Sequence, residues 1–121
     1  MSIIKQTIDT LRKDNIKVFP PSTHIGECIE PYIVVKLDGA TTEENVSAER
    51  PIYTIMCYVP FNEYTKLEDI VLRTKQRMKE MYPLLMYAGN QTPSVYDEQI
   101  KAHMISFQYL NCRKIESSDK F

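Results

Sequence analysis

Two hydrophobic periods divide this chain. Ile4, Ile8 and Leu11 fall at i, i+4 and i+7, with Lys5, Asp9 and Arg12 on other faces. That spacing predicts one apolar stripe on a helix of about three turns. Asp14 and Asn15 should end it, because both favour turns over helix interiors. Val18 and Phe19 then meet Pro20 and Pro21, which impose an extended path, and residues 21–30 read as a loop. From Tyr32 to Leu37 the residues are mostly β-branched or aromatic, which predicts a strand that Gly39 ends. Its Ile33-Val34-Val35 centre is continuously apolar and suits a strand covered on both faces or buried in an assembly. Ile52 to Val59 predicts a second strand. Ile52, Thr54, Met56 and Tyr58 alternate there with Tyr53, Ile55, Cys57 and Val59. Both sets are largely apolar, so one is expected against helices and the other against a partner or inside an ordinary core.

The helical period returns after Tyr64. Thr65 and Glu68 have the spacing of a capping box, in which each side chain satisfies the other residue's free backbone N–H. Leu67, Ile70, Val71, Met78 and Met81 form the apolar stripe, and Pro83 should stop the helix near Met81–Tyr82. Leu84 to Tyr87 predicts a short strand and the sequence AGNQTPS a turn. His103 to Arg113 predicts the last strand, with Ile105, Phe107 and Tyr109 on one face and Met104, Ser106, Gln108 and Leu110 on the other. The economical architecture is α+β: a single, mostly antiparallel β-sheet with two α-helices packed on one face, and a long β-hairpin with a protruding loop. Residues 1–121 make one domain, with a frayed tail at 115–121.

Charge and composition narrow the function without naming it. The net charge of -1 gives no basic field for nucleic acid. No apolar run is long enough for a membrane span, and the amphipathic N-terminus lacks a secretory h-region. Cys28, Cys57 and Cys112 are odd in number and widely spaced, which argues against a disulfide framework or a zinc site and for a reducing cytosol. His24 and His103 have no second ligand or carboxylate at helical or strand spacing. Cys57 sits inside a strand, with no base beside it in sequence. Glu27, Glu30 and Asp38, near Lys36, raise the possibility of a metal-dependent nuclease. Glu30 and Asp38 flank one strand, roughly 25 Å apart at standard rise, and cannot share a metal. No catalytic, cofactor or metal residue is therefore assigned.

The remaining signal is an uneven charge. Residues 21–50 hold six acidic and two basic residues, a net of -4, whereas residues 101–121 hold four basic and two acidic, a net of +2. The acidic block is mostly the loop between the two long strands. Glu43, Glu44, Glu49 and Arg50 are thus the candidate interface residues, in a loop that is either merely solvated or docks on a basic neighbour.

Read as an ordered whole, the PYIVV strand, the acidic insertion, the IYTIMCYVP strand, YTKLEDIVLRTKQRMKEMYP, TPSVYDE and KAHMISFQYLNCRK resemble the tail-terminator (tail-completion, minor neck) proteins of tailed phages and phage-like particles of Gram-positive bacteria. The resemblance covers roughly Ile3 to Lys114. It implies a non-enzymatic virion protein, with no cofactor, that assembles in the host cytoplasm and resides in the tail neck. It implies a ring, usually a hexamer, that caps the head-proximal end of the tail tube and stops its growth. The implied partners are other copies of the chain, the tail tube protein, the head–tail connector and, in contractile tails, the sheath protein; DNA only passes through the lumen. Head-completion and head–tail joining proteins share this size and composition and stand as the alternative.

Overall fold

The computed structural model describes residues 2–24, 26–42 and 49–111, and for residues 40–42, 49 and 50 only the course of the backbone. Glu43, Glu44, the tail at 115–121 and Cys112 lie outside the described residues.

Helix α1 spans Ile3–Leu11. Ser2 caps it, accepting a hydrogen bond from the Lys5 backbone N–H at 3.3 Å. A 3₁₀ turn at Arg12–Asp14 follows, and Asn15 closes it at φ 61°, a left-handed conformation that asparagine tolerates. Strand β1 is Lys17–Phe19, β2 Tyr32–Thr42 and β3 Glu49–Pro60. A 3₁₀ turn at Tyr64–Lys66 leads into α2, Leu67–Met78, and a second at Lys79–Met81 ends it. Strands β4 (Leu85–Gln91), β5 (Val95–Asp97) and β6 (Ala102–Asn111) complete the described chain.

The six strands form one sheet in the order β1-β2-β3-β6-β4, with β5 also on β6. The α+β fold with helices packed on a sheet agrees with the sequence reading. The sheet is mixed rather than purely antiparallel: β1 runs parallel to β2, through Lys17↔Tyr32 and Phe19↔Val34. The stretch before Pro20–Pro21 was expected only to be extended, and it takes the edge position that a proline-terminated strand can occupy.

Gly39 does not end the first strand. The ladder shifts register between Leu37 and Ala40 and then resumes through Thr42↔Glu49. Gly39 sits at φ 114°, which a side chain would strain, so the bulge is absorbed where no Cβ stands in the way. The expected AGNQTPS turn is also partly strand. β4 continues to Gln91 past a register shift between Tyr87 and Gln91.

The capping box does not form. Thr65 lies within the 3₁₀ turn, so its backbone is already helical when α2 begins, and no side chain caps α2. A box needs an extended N-cap residue to aim the hydroxyl at the free N–H groups.

Alternation along the strands sorts side chains onto two faces. Ile33, Val35, Tyr53, Ile55, Cys57, Val59, Phe107 and Tyr109 join Ile8, Leu11, Leu67, Ile70, Val71 and Met78 of the helices in one buried core. Each fully buried aliphatic or aromatic side chain there contributes about 1.5–3 kcal/mol. Both helices therefore lie on one face. Arg77 of α2 straps them together, holding Asp14 at 2.6 and 3.2 Å and Glu80 at 2.5 Å, while Lys13 reaches Glu80 at 2.8 Å. Among the described residues no helix is long and apolar enough to cross a membrane.

Candidate assembly surface

The other face of the sheet has no helix over it among the described residues. Registers through β2, β3 and β6 set its rungs: Tyr32–Tyr58–Met104, Val34–Met56–Ser106, Lys36–Thr54–Gln108 and, nearer the hairpin end, Ile52–Leu110, which continues to Met86 of β4. The loop before β2 and the turn before β6 fold over the first rung. The Cys28 N–H donates to the Ile100 carbonyl at 2.7 Å, and Cys28, Tyr32 and Ala102 form a small second core with Phe19, Val34, Tyr58 and Ile100 against it. His24, Tyr32 and Tyr58 stack in series there, with ring centroids 4.1 and 4.8 Å apart. Beyond that end, Met56, Ile52 and Leu110 remain half-buried, as does Val34 at its margin.

A polar strip crosses this open face. Asp38 accepts from Thr54 Oγ1 at 3.0 Å and from Gln108 Nε2 at 3.3 Å, and pairs with Lys36 at 3.3 Å. Asn90 of β4 extends the strip by donating to Gln108 Oε1 at 2.7 Å. The Thr54 hydrogen bond, followed by the contacts with Lys36, holds the Asp38 carboxyl below its ordinary value. The face thus alternates apolar, polar and apolar bands.

The β2–β3 hairpin is long. β2 and β3 pair to Thr42↔Glu49, whereas the described pairing of β3 with β6 stops at Ile52↔Leu110. At Pro51, Arg50 and Glu49 the described pairing is with Ala40, Thr41 and Thr42 of β2. Of the four interface candidates from the sequence, Glu49 and Arg50 lie on this part of the hairpin, opposite Thr42 and Thr41. Glu43 and Glu44 belong to the undescribed segment that joins its two strands.

The other candidate chemistries are dispersed. Glu27 pairs with Lys101 at 3.5 Å, Glu30 with Lys17 at 2.8 Å and Asp38 with Lys36, so each carboxylate faces a different lysine. Among the described residues no three His, Cys, Asp or Glu side chains gather as a metal cluster. His103 lies between Tyr64 and Tyr96, with centroids at 4.7 and 4.9 Å, and its Nε2 is 3.3 Å from the Phe61 carbonyl. Cys57 is buried against Thr74 Oγ1 at 3.8 Å. Burial pushes its thiol up to about 12, and that of Cys28 up to about 11, which makes both poor nucleophiles.

The sequence carried no sign of the concavities beside α2, one of about 540 Å³ near Tyr64 and Glu68 and one at its other end. Met78, Leu85, Met86, Tyr82, Tyr87 and Tyr109 line a cavity of about 580 Å³ between the end of α2 and β4, with Lys75 and Lys79 at its rim. Its residues stand close in sequence only in part, as Lys75, Met78, Lys79 and Tyr82, and the pairing of β4 with β6 brings Tyr109 to them. No family model matches this chain, and no curated protein matches it.

Proposed function

We propose that this chain is a structural assembly subunit of a phage-type tail, a tail terminator that forms a ring on the head-proximal end of the tail tube, stops its growth and presents a docking surface to the head connector. The observation that carries the reading is the open sheet face, half-buried and banded apolar–polar–apolar, continuous with the long β2–β3 hairpin. An isolated enzyme domain has no need of such a face. A ring subunit does, because a head-to-tail contact closes only when one surface of a copy fits a different surface of the next.

The chemistry of the described residues supports a scaffold rather than a catalyst. The carboxylates that would hold a metal are spent on separate lysines, and the two described thiols are buried. The acidic segment at 43–49 suits a position beside another subunit or along a lumen through which DNA passes without adhering.

Particles made without this protein should carry overlong tails, and the purified chain mixed with tail tubes should label one end only and add the mass of a closed ring, expected to be six copies. Tails of normal length that lack heads, or heads that leak DNA, would instead identify another neck component. Deleting residues 41–47 should impair ring closure; unchanged rings and unchanged tail length would remove the segment from the mechanism.

A further inference from the structure

We infer that one flank of α2 and the turn that ends it, Glu68–Leu72–Lys75–Lys79, is a self-complementary docking surface on which a second copy of this chain binds antiparallel about a two-fold axis. The four positions lie at i, i+4, i+7 and i+11, one line along the helix, on the flank beside the buried Leu67, Ile70, Val71, Thr74 and Met78, with Lys75 half-buried and the other three exposed. An acid stands at one end, an exposed leucine near the middle (56 % exposed) and two lysines at the other end.

The described cations show why this line is unusual. Lys5, Lys13, Lys17, Lys36, Lys66, Arg73, Arg77 and Lys101 each pair with a carboxylate, and Arg12 donates to the Val18 carbonyl. Among the described lysines, Lys75 and Lys79 alone lack an anionic partner, and of the described arginines only Arg12 shares that lack. Lys75 bonds the neutral Tyr87 Oη at 3.3 Å and Gln91, and lies over the Tyr87 and Phe107 rings at 4.8 and 5.1 Å. Glu68 likewise has no cation among the described residues. Glu68 and Lys79 stand roughly 16 Å apart along one helix, too far to meet within a copy.

A second copy laid antiparallel brings them together. Setting Glu68 of one copy opposite Lys79 of the other also sets Leu72 opposite Lys75, because both pairs are symmetric about the same point on the helix. Each contact then occurs twice, as an isologous interface requires, and the Lys75 stem covers the exposed leucine. The same operation carries Tyr64, 51 % exposed beyond the acidic end, towards Tyr82, 65 % exposed at the mouth of the 580 Å³ cavity beyond the basic end. This contact is separate from the ring reading, since a two-fold patch on α2 leaves the open sheet face and the long hairpin free.

Sedimentation of the full chain over a range of concentrations tests it. The wild type should show a monomer–dimer equilibrium that weakens with salt. Glu68→Lys and Lys79→Glu should each weaken self-association about tenfold, as attraction becomes repulsion at both ends. An equimolar mixture of the two variants should recover wild-type association as heterodimers, and the double variant Glu68→Lys/Lys79→Glu should recover it as homodimers. Leu72→Asp, at an exposed position, should keep the helical circular dichroism and lose the dimer. A wild type that stays monomeric at its highest soluble concentration, reversals that change nothing, or a mixture that fails to recover would each overturn the proposal. Tail length plays no part in these readouts, so the ring reading stands or falls separately.

Discussion

Ile55 and Met56 are neighbours in β3, yet they belong to different molecules in an energetic sense. Ile55 points under the helices, fully enclosed beside Val35 and Phe107. Met56 points to the open face, half-buried between Val34 and Ser106. The helix-covered face spends its apolar surface on folding, whereas the open face keeps surface that only another element or subunit can cover. A sheet needs one buried face to be stable, and a second apolar face left open is surplus to the monomer.

Truncation under the helices should give the largest effect. Phe107→Ala is expected to lose about 3–5 kcal/mol of stability, read from a denaturant midpoint at unchanged m-value. A loss no greater than that of Met56→Ala would erase the distinction between the faces.

The strap between the helices should come next and depends on pH. The Arg77 hydrogen bond, above all other causes, holds the Asp14 carboxyl below its ordinary value. The folded state therefore binds this proton less readily than the unfolded chain. The resulting stability is complete above the unfolded value, near 4, and is lost as pH falls through the lower folded value. Asp14→Asn should lower the melting temperature at pH 7 and remove part of the stability loss below about pH 4. Parallel acid profiles for the wild type and the variant would show that the strap carries no folding energy.

Met56→Lys should change monomer stability by less than about 1 kcal/mol, because its ammonium can reach water from the open face. It should nevertheless prevent incorporation into particles, scored by end-labelling of tails. Normal incorporation would exclude this part of the sheet as an interface. The smallest effect is expected at Thr65. Thr65→Ala should shift stability by only a few tenths of a kcal/mol, against about 1 kcal/mol if its hydroxyl capped α2.

The elements themselves were legible because each has a local cause. The stripe Ile4-Ile8-Leu11 produces α1, Asn15 ends it, and the alternation in 52–59 produces the central strand. Errors fell where two local rules competed. Gly39 reads as a strand terminator, but a glycine also accommodates a bulge, and the ladder beyond it continues. Thr65 and Glu68 match a capping box, but a 3₁₀ turn pre-empts the N-cap geometry. The acidic segment was visible as an interface candidate; the cavity beside Lys79 was not, because its lining comes from α2, β4 and β6.

By itself the sequence determined which residues are helix or strand, which are apolar on both faces of β3, and that no chemistry-bearing pattern recurs at a fixed spacing. Those properties follow from interactions within a few residues along the chain. Only the tertiary structure decided which apolar face is covered, that β1 joins the sheet parallel to β2, that Arg77 finds Asp14, and that Glu68 and Lys79 are left without opposite charges among the described residues. Each of these depends on how elements distant in sequence pack, and packing selects one partner for each surface from several that local pattern allows.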